Sequence, residues 1–168
     1  PLCPTYNISI FRKTMDKTQT IIRIAREAAE ATPDFGRIKG AGDGDRATLQ
    51  YMKLLQTRSF SVLGEDYSEK KICGDNSFAV DFYIPEEATI IEVALGLPNP
   101  ASEFEKDILK AIMAQECGYP VRRLMFISRP GASKKCDQPG RTAMRAWAGS
   151  KHNLQIEIHD LPGEPRIR

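Results

Sequence analysis

Two carboxylates interrupt stretches where carboxylates are costly. In Val80-Asp81-Phe82-Tyr83-Ile84 and Thr89-Ile90-Ile91-Glu92-Val93-Ala94, an aspartate and a glutamate break runs of aromatic and β-branched residues that read as strands. Pro85-Glu86-Glu87-Ala88 between them is short enough to close a hairpin. If the connection is symmetric about the Glu86–Glu87 bond, Asp81 and Glu92 lie directly opposite, with Cβ atoms about 4.5–5.5 Å apart. Like charges so placed repel. A divalent cation between them removes the repulsion, and two carboxylates with water and a phosphate form an oxygen set suited to Mg²⁺. A plainer reading stays open: Asp81 shares its face with Ala79 and Tyr83, and Glu92 with Ile90 and Ala94, a mixed face that could meet solvent.

Charge along the chain supports an acidic centre beside a basic surface. From Ser59 to Asp107 there are eleven acids against three lysines, and from Arg122 to Lys151 eight bases against Asp137 alone, although the whole chain carries only +2. Two mutually neutralising solvated faces would give the same pattern. As a surface for a polyanion, the basic stretch offers Arg129, Lys134, Lys135, Arg141 and Arg145 to phosphates. Trp147 and Tyr119 are its only Trp and Tyr neighbours, too few for a single-strand stacking platform.

Other groupings are weaker. Gly40-x-Gly42-x-Gly44 lacks the preceding strand and the glycine spacing of a dinucleotide loop, and Gly131-Ala132-Ser133-Lys134 lacks the full phosphate-loop pattern. Cys3, Cys73, Cys117 and Cys136 contain no CxxC pair, and only His152 and His159 could add imidazole, so neither a zinc site nor a disulfide framework is indicated. With no basic-then-apolar leader and no apolar run of about 18–20 residues, the expected location is the cytoplasm, with no membrane partner.

The elements that must position the carboxylates follow from periodicity. Thr18–Ala31 and Arg46–Leu55 read as helices, the second with Ala47, Tyr51, Leu54 and Leu55 inward. A glycine-rich loop separates them. Strands are expected near Ser59–Leu63, at Phe78–Ile84 and at Thr89–Leu95. Ser102–Gln115 reads as a helix with a Ser102/Glu105 capping box and an inner face of Phe104, Ile108, Ala111 and Ile112. Arg123–Ser128 is a buried strand, Arg141–Ala148 a short helix with Trp147 packed on the sheet, and Leu154–His159 a final strand. The fold class is α/β: a mixed sheet in which an antiparallel hairpin feeds parallel crossover units.

The passage VDFYIPEEATIIEVA resembles the catalytic hairpin of the PD-(D/E)xK nuclease superfamily, nearest to the BglII-like restriction endonucleases, whose hairpins carry aspartate before phenylalanine and then an ExQ or ExK triplet. The similarity spans Phe78 to Ser128. It implies one restriction-endonuclease-like domain over residues 1–168, with 1–45 as an N-terminal helical region and 46–160 as the core. It implies Asp81 and Glu92 as metal-binding acids, with the Val93 carbonyl as a further ligand. The implied cofactor is Mg²⁺, replaceable by Mn²⁺. The implied activity is DNA endonuclease, with a homodimer as a possible assembly. Ala94 stands where the family usually places lysine. Lys106 points away from the inner face of its helix, Glu105 lies at that face's edge, and Lys134 and Lys135 are free to substitute. The alternative is a catalytically impaired relative that binds nucleic acid or protein.

Overall fold

A computed structural model describes residues 16–32, 35, 43–97 and 103–163. The carboxylate hairpin lies at the middle of a five-stranded sheet of order β1-β2-β3-β4-β5. Its strands are β1 (Ser68–Lys70), β2 (Val80–Ile84), β3 (Thr89–Val93), β4 (Arg123–Ser128) and β5 (Gln155–Asp160). The first three form an antiparallel meander; β4 runs parallel to β3 and β5 parallel to β4. The α/β class with a mixed sheet is therefore as expected.

Helices cover both faces. On one side α1 (Lys17–Ala31) and α2 (Asp43–Leu63) pack over Phe82, Ile84, Ile91, Met125 and Ile127. On the other, α3 (Glu103–Glu116) covers Tyr83, Ile90, Leu124 and Phe126, with Phe104 stacked on Phe126 at 5.3 Å. Alternation along β2 and β3 sends Phe82 and Ile91 to the first core, and Tyr83 and Ile90 to the second. The helix α5 (Pro139–His152) borders the second core through Ala148, its one buried residue.

Several boundaries differ from the sequence expectation. No strand forms at Ser59–Leu63, because α2 runs on to Leu63. Ala47, Tyr51, Leu55 and Ser59 are buried at intervals of four, so helical burial outweighs the β-propensity of Phe60 and Val62, which remain exposed. Gly64, at φ +74, then ends the helix with its N–H on the Phe60 carbonyl. The first strand is instead the three-residue β1 in the polar stretch that follows. A short helix α4 (Ala132–Cys136) was not expected. Trp147 is 48% exposed rather than packed on the sheet, and touches the His152 ring edge-on at 4.8 Å. The Ser102 half of the capping box and most of the glycine-rich loop lie outside the described residues.

Candidate functional site

The hairpin turn is the four-residue connection the pairing required. Pro85–Glu87 form one 3-10 turn, and Ala88 closes it at φ +47 with its N–H on the Pro85 carbonyl. Both glutamates anchor α1. The Glu87 carboxylate accepts the Lys17 N–H at 2.7 Å, the Thr18 N–H at 3.1 Å and the Thr18 hydroxyl, while Lys17 reaches Glu86 at 2.5 Å. A glutamate pair that is poor turn chemistry on its own is thus fixed by capping a helix.

The register across the turn pairs Ile84 with Thr89, Tyr83 with Ile90 and Phe82 with Ile91. One further step sets Asp81 opposite Glu92. Asp81 accepts the Val93 N–H at 2.7 Å, so its carboxylate reaches across to the exit of β3. Glu92 is 3% exposed and points into the layer beneath α3.

From that helix come two residues the sequence reading did not select. Asp107 is 4% exposed and Lys110 6%. Lys110 Nζ lies 2.7 Å from Glu92 Oε1 and 3.0 Å from Asp107 Oδ1. Its aligned hydrogen bond goes to the Ala79 carbonyl at 3.0 Å, and both carboxylate oxygens are left without an aligned donor. The ammonium is therefore held mainly by charge. The start of α3 is pinned by Glu103, which accepts the Gly96 N–H at 3.0 Å. A side chain at 96 would push the Glu103 carboxylate aside and so weaken this contact.

Asp81, Glu92, Asp107 and Lys110 carry three negative charges against one positive in a largely dry space. Burial, then the neighbouring acids Asp81 and Asp107, push the Glu92 carboxyl well above its ordinary range. Burial raises Asp107, and raises Asp81 although its side chain keeps some contact with solvent. Burial acts to lower Lys110, but Glu92 and Asp107 outweigh it and hold the ammonium protonated. Two formal negative charges remain for a proton or a cation to neutralise.

The donor set fits a hard divalent cation in kind, carboxylate oxygens beside the end of a strand, although Glu92 Oε1 and Asp107 Oδ1 already face the Lys110 ammonium. Asp81 and Glu92 would hold the ion, with the Val93 carbonyl as the further candidate. Among the described residues no three His, Cys, Asp or Glu side chains are gathered as a ready metal cluster, since Lys110 stands between Glu92 and Asp107. Such a site would need water and phosphate to complete the coordination, as is common for Mg²⁺.

Ala94 is 4% exposed and packs in the core with Ile90, Leu97 and Phe104. Its carbonyl accepts the Ser128 hydroxyl at 2.5 Å. The lysine nearest the hairpin acids is Lys110, not Lys106, which is exposed.

The proposed phosphate contacts divide in two. Lys134 and Lys135 are exposed on α4, beyond the end of β4 that lies beside Val93. Asp160 fixes that helix by accepting the N–H groups of Gly131 and Ser133, each at 3.0 Å, and the Ser133 hydroxyl at 2.8 Å. Arg141 is turned inward, donating to the Leu97 carbonyl at 2.9 Å and lying 5.2 Å from the Phe104 ring centre. Arg145 holds Asp137 at 3.2 Å. Arg129 is half-buried. Arg145 and Arg122 also line a cleft of about 690 Å³ between α5 and the start of β5.

No helix among the described residues is long and apolar enough to cross a membrane. No protein-family model matches the chain, and neither the curated proteins nor the solved structures contain a significant match.

Proposed function

We propose that the protein is a metal-dependent phosphodiesterase acting on DNA, an endonuclease of restriction-endonuclease-like type. The supporting observation is the buried group of Asp81, Glu92, Asp107 and Lys110 at the end of β3, with its surplus of two negative charges. Mg²⁺ or Mn²⁺ held by Asp81, Glu92 and the Val93 carbonyl would activate water and stabilise charge on the phosphate. The chain's own residues set the stage. The Val93 N–H orients Asp81, Lys110 orients Glu92, and the Ala79 carbonyl orients Lys110. Lys110 supplies the positive charge that Ala94 does not. Lys134 and Lys135, on the side of the sheet where β3 and β4 end, would take neighbouring phosphates.

A second reading rests on the closure of the site. Glu92, Asp107 and Lys110 are all below a tenth exposed, and an ammonium already neutralises part of the acid. That arrangement favours a catalytically impaired member of the same fold, binding nucleic acid or protein.

Incubation with supercoiled plasmid DNA separates the two. The first reading expects nicking in millimolar Mg²⁺ or Mn²⁺, none in chelator, and a loss of about 10²-fold or more in Asp81→Asn and Lys110→Met. DNA binding without metal-dependent cleavage would favour the second reading; neither cleavage nor DNA binding would remove the first and leave of the second only a protein-binding module.

A further inference from the structure

We infer that Cys73 and Cys117 form a reversible, oxidant-driven disulfide that couples the redox state of the solvent to the seat of Lys110. The proposal does not require that the protein cut DNA. Cys73 is 1% exposed, in the bend before β2, and its thiol donates to the Lys110 carbonyl at 3.4 Å. Cys117 is exposed, in the turn just after α3. The two lie far apart in sequence, yet the Cys117 sulfur sits against the residue that follows Cys73. A Cβ placed on Gly74 would stand only 3.4 Å from it. Glycine at 74 adopts φ +94 in the bend, and its backbone lies within van der Waals reach of the Cys117 sulfur. Asn76 secures the bend by donating to the Cys73 carbonyl at 2.7 Å. One sulfur is therefore open to a solvent oxidant, and the thiol beside the residue it touches is shielded from one.

Hydrogen peroxide supplies the oxidising equivalents. The Cys117 thiolate attacks one peroxide oxygen, the O–O bond breaks, and Cys117 becomes a sulfenic acid as one water is released. The Cys73 sulfur, having given up its proton, then attacks the Cys117 sulfur; the S–O bond breaks, a second water leaves, and the S–S bond forms. Two thiols lose two electrons and two protons, and one peroxide becomes two waters. A small-molecule thiol reverses the bond by exchange. Formation costs the Lys110 carbonyl its thiol donor and draws the bend toward the end of α3. The same segment runs on to Ala79, whose carbonyl holds the Lys110 ammonium. Oxidation therefore moves both contacts that fix Lys110 from the β2 side.

The test uses the full chain, treated with stoichiometric hydrogen peroxide, blocked with N-ethylmaleimide and digested without reductant for mass spectrometry. The expected product is a Cys73–Cys117 cross-linked peptide, lost on reduction with dithiothreitol and missing in Cys117→Ser, a surface change that leaves the thermal unfolding of the reduced protein unchanged. Sulfinic acid at Cys117 with Cys73 recovered as free thiol, or cross-linking of Cys117 to Cys3 or Cys136 instead, would overturn the proposal. A cleavage assay failing in the reduced protein would bear on the nuclease reading alone.

Discussion

At the scale of single residues, the hairpin acids and Lys110 form a charge balance that is incomplete without a proton or a metal. Glu92, Asp81 and Asp107 all bind a proton more tightly in the folded chain than in the unfolded one, chiefly because burial penalises their charged forms. The folded state therefore holds more protons, and stability falls as pH rises from the ordinary carboxylate range near about 4 through the raised folded values. Chelator-treated protein is expected to be more resistant to urea at pH 5 than at pH 8. Glu92→Gln should flatten that dependence by removing the most shifted group; an unchanged slope in the variant would place the titrating group elsewhere. Asp81 and Glu92 were readable because a carboxylate inside an apolar strand is conspicuous. Asp107 and Lys110 were not, because an amphipathic helix is read by its apolar residues. Centring α3 on Phe104, Ile108 and Ile112 turns Lys110 outward. The buried arc instead includes Ala111 and Ala114, whose small size brings the helix close to the sheet, while Ile112 is only half-buried. The available signal was the Asp107/Lys110 pair, spaced to meet on one face beside those two alanines.

At the scale of elements, the register was legible and some boundaries were not. Residues opposite one another across the turn follow the pairing that symmetry about Glu86–Glu87 required, because a four-residue connection fixes the ladder once both strands are known. What held the connection in place was not legible. It depends on a helix seventy residues away in sequence, whose N-terminus Glu87 caps. Glu87→Ala should cost about 1–2 kcal/mol in chemical unfolding, whereas Glu86→Ala, which loses a more exposed pair with Lys17, should cost less than about 1 kcal/mol. Equal costs would argue against the cap. The short α4 was missed for the same kind of reason: five residues cannot sustain a helix alone, and Asp160 supplies the missing partners from the far end of β5.

At the scale of the whole molecule, the separation of charge along the sequence becomes a separation of roles. Of the acidic stretch, Asp81, Glu92 and Asp107 gather at Lys110, while Glu65, Asp66, Glu69, Asp75, Glu86 and Glu105 are exposed. Within the basic stretch Arg141 is committed to internal contacts, whereas Arg122, Lys134 and Lys135 are open to solvent, a distinction no count of charges could make. Duplex DNA affinity is expected to fall with salt, and Lys134→Ala with Lys135→Ala should flatten the log–log slope by up to about 2. Arg141→Ala should instead lower thermal stability, since it removes a bond to the Leu97 carbonyl and the stacking on Phe104. A slope that responds to Arg141 and not to the two lysines would reverse that assignment.

The central claim is that the hairpin acids hold a divalent cation, and thermal unfolding of the parent and of Asp81→Asn, each in chelator and in millimolar Mn²⁺, tests it most directly. Asparagine can still accept the Val93 N–H while one negative charge is lost from a group that carries too many. The variant in chelator should therefore unfold at or slightly above the temperature of the parent. In Mn²⁺ the parent should gain several degrees, as binding to the folded state alone requires, and the variant should gain little. A variant that is weakened in chelator yet keeps the full Mn²⁺ shift would mean that Asp81 is structural and that the cation, if bound, is bound elsewhere.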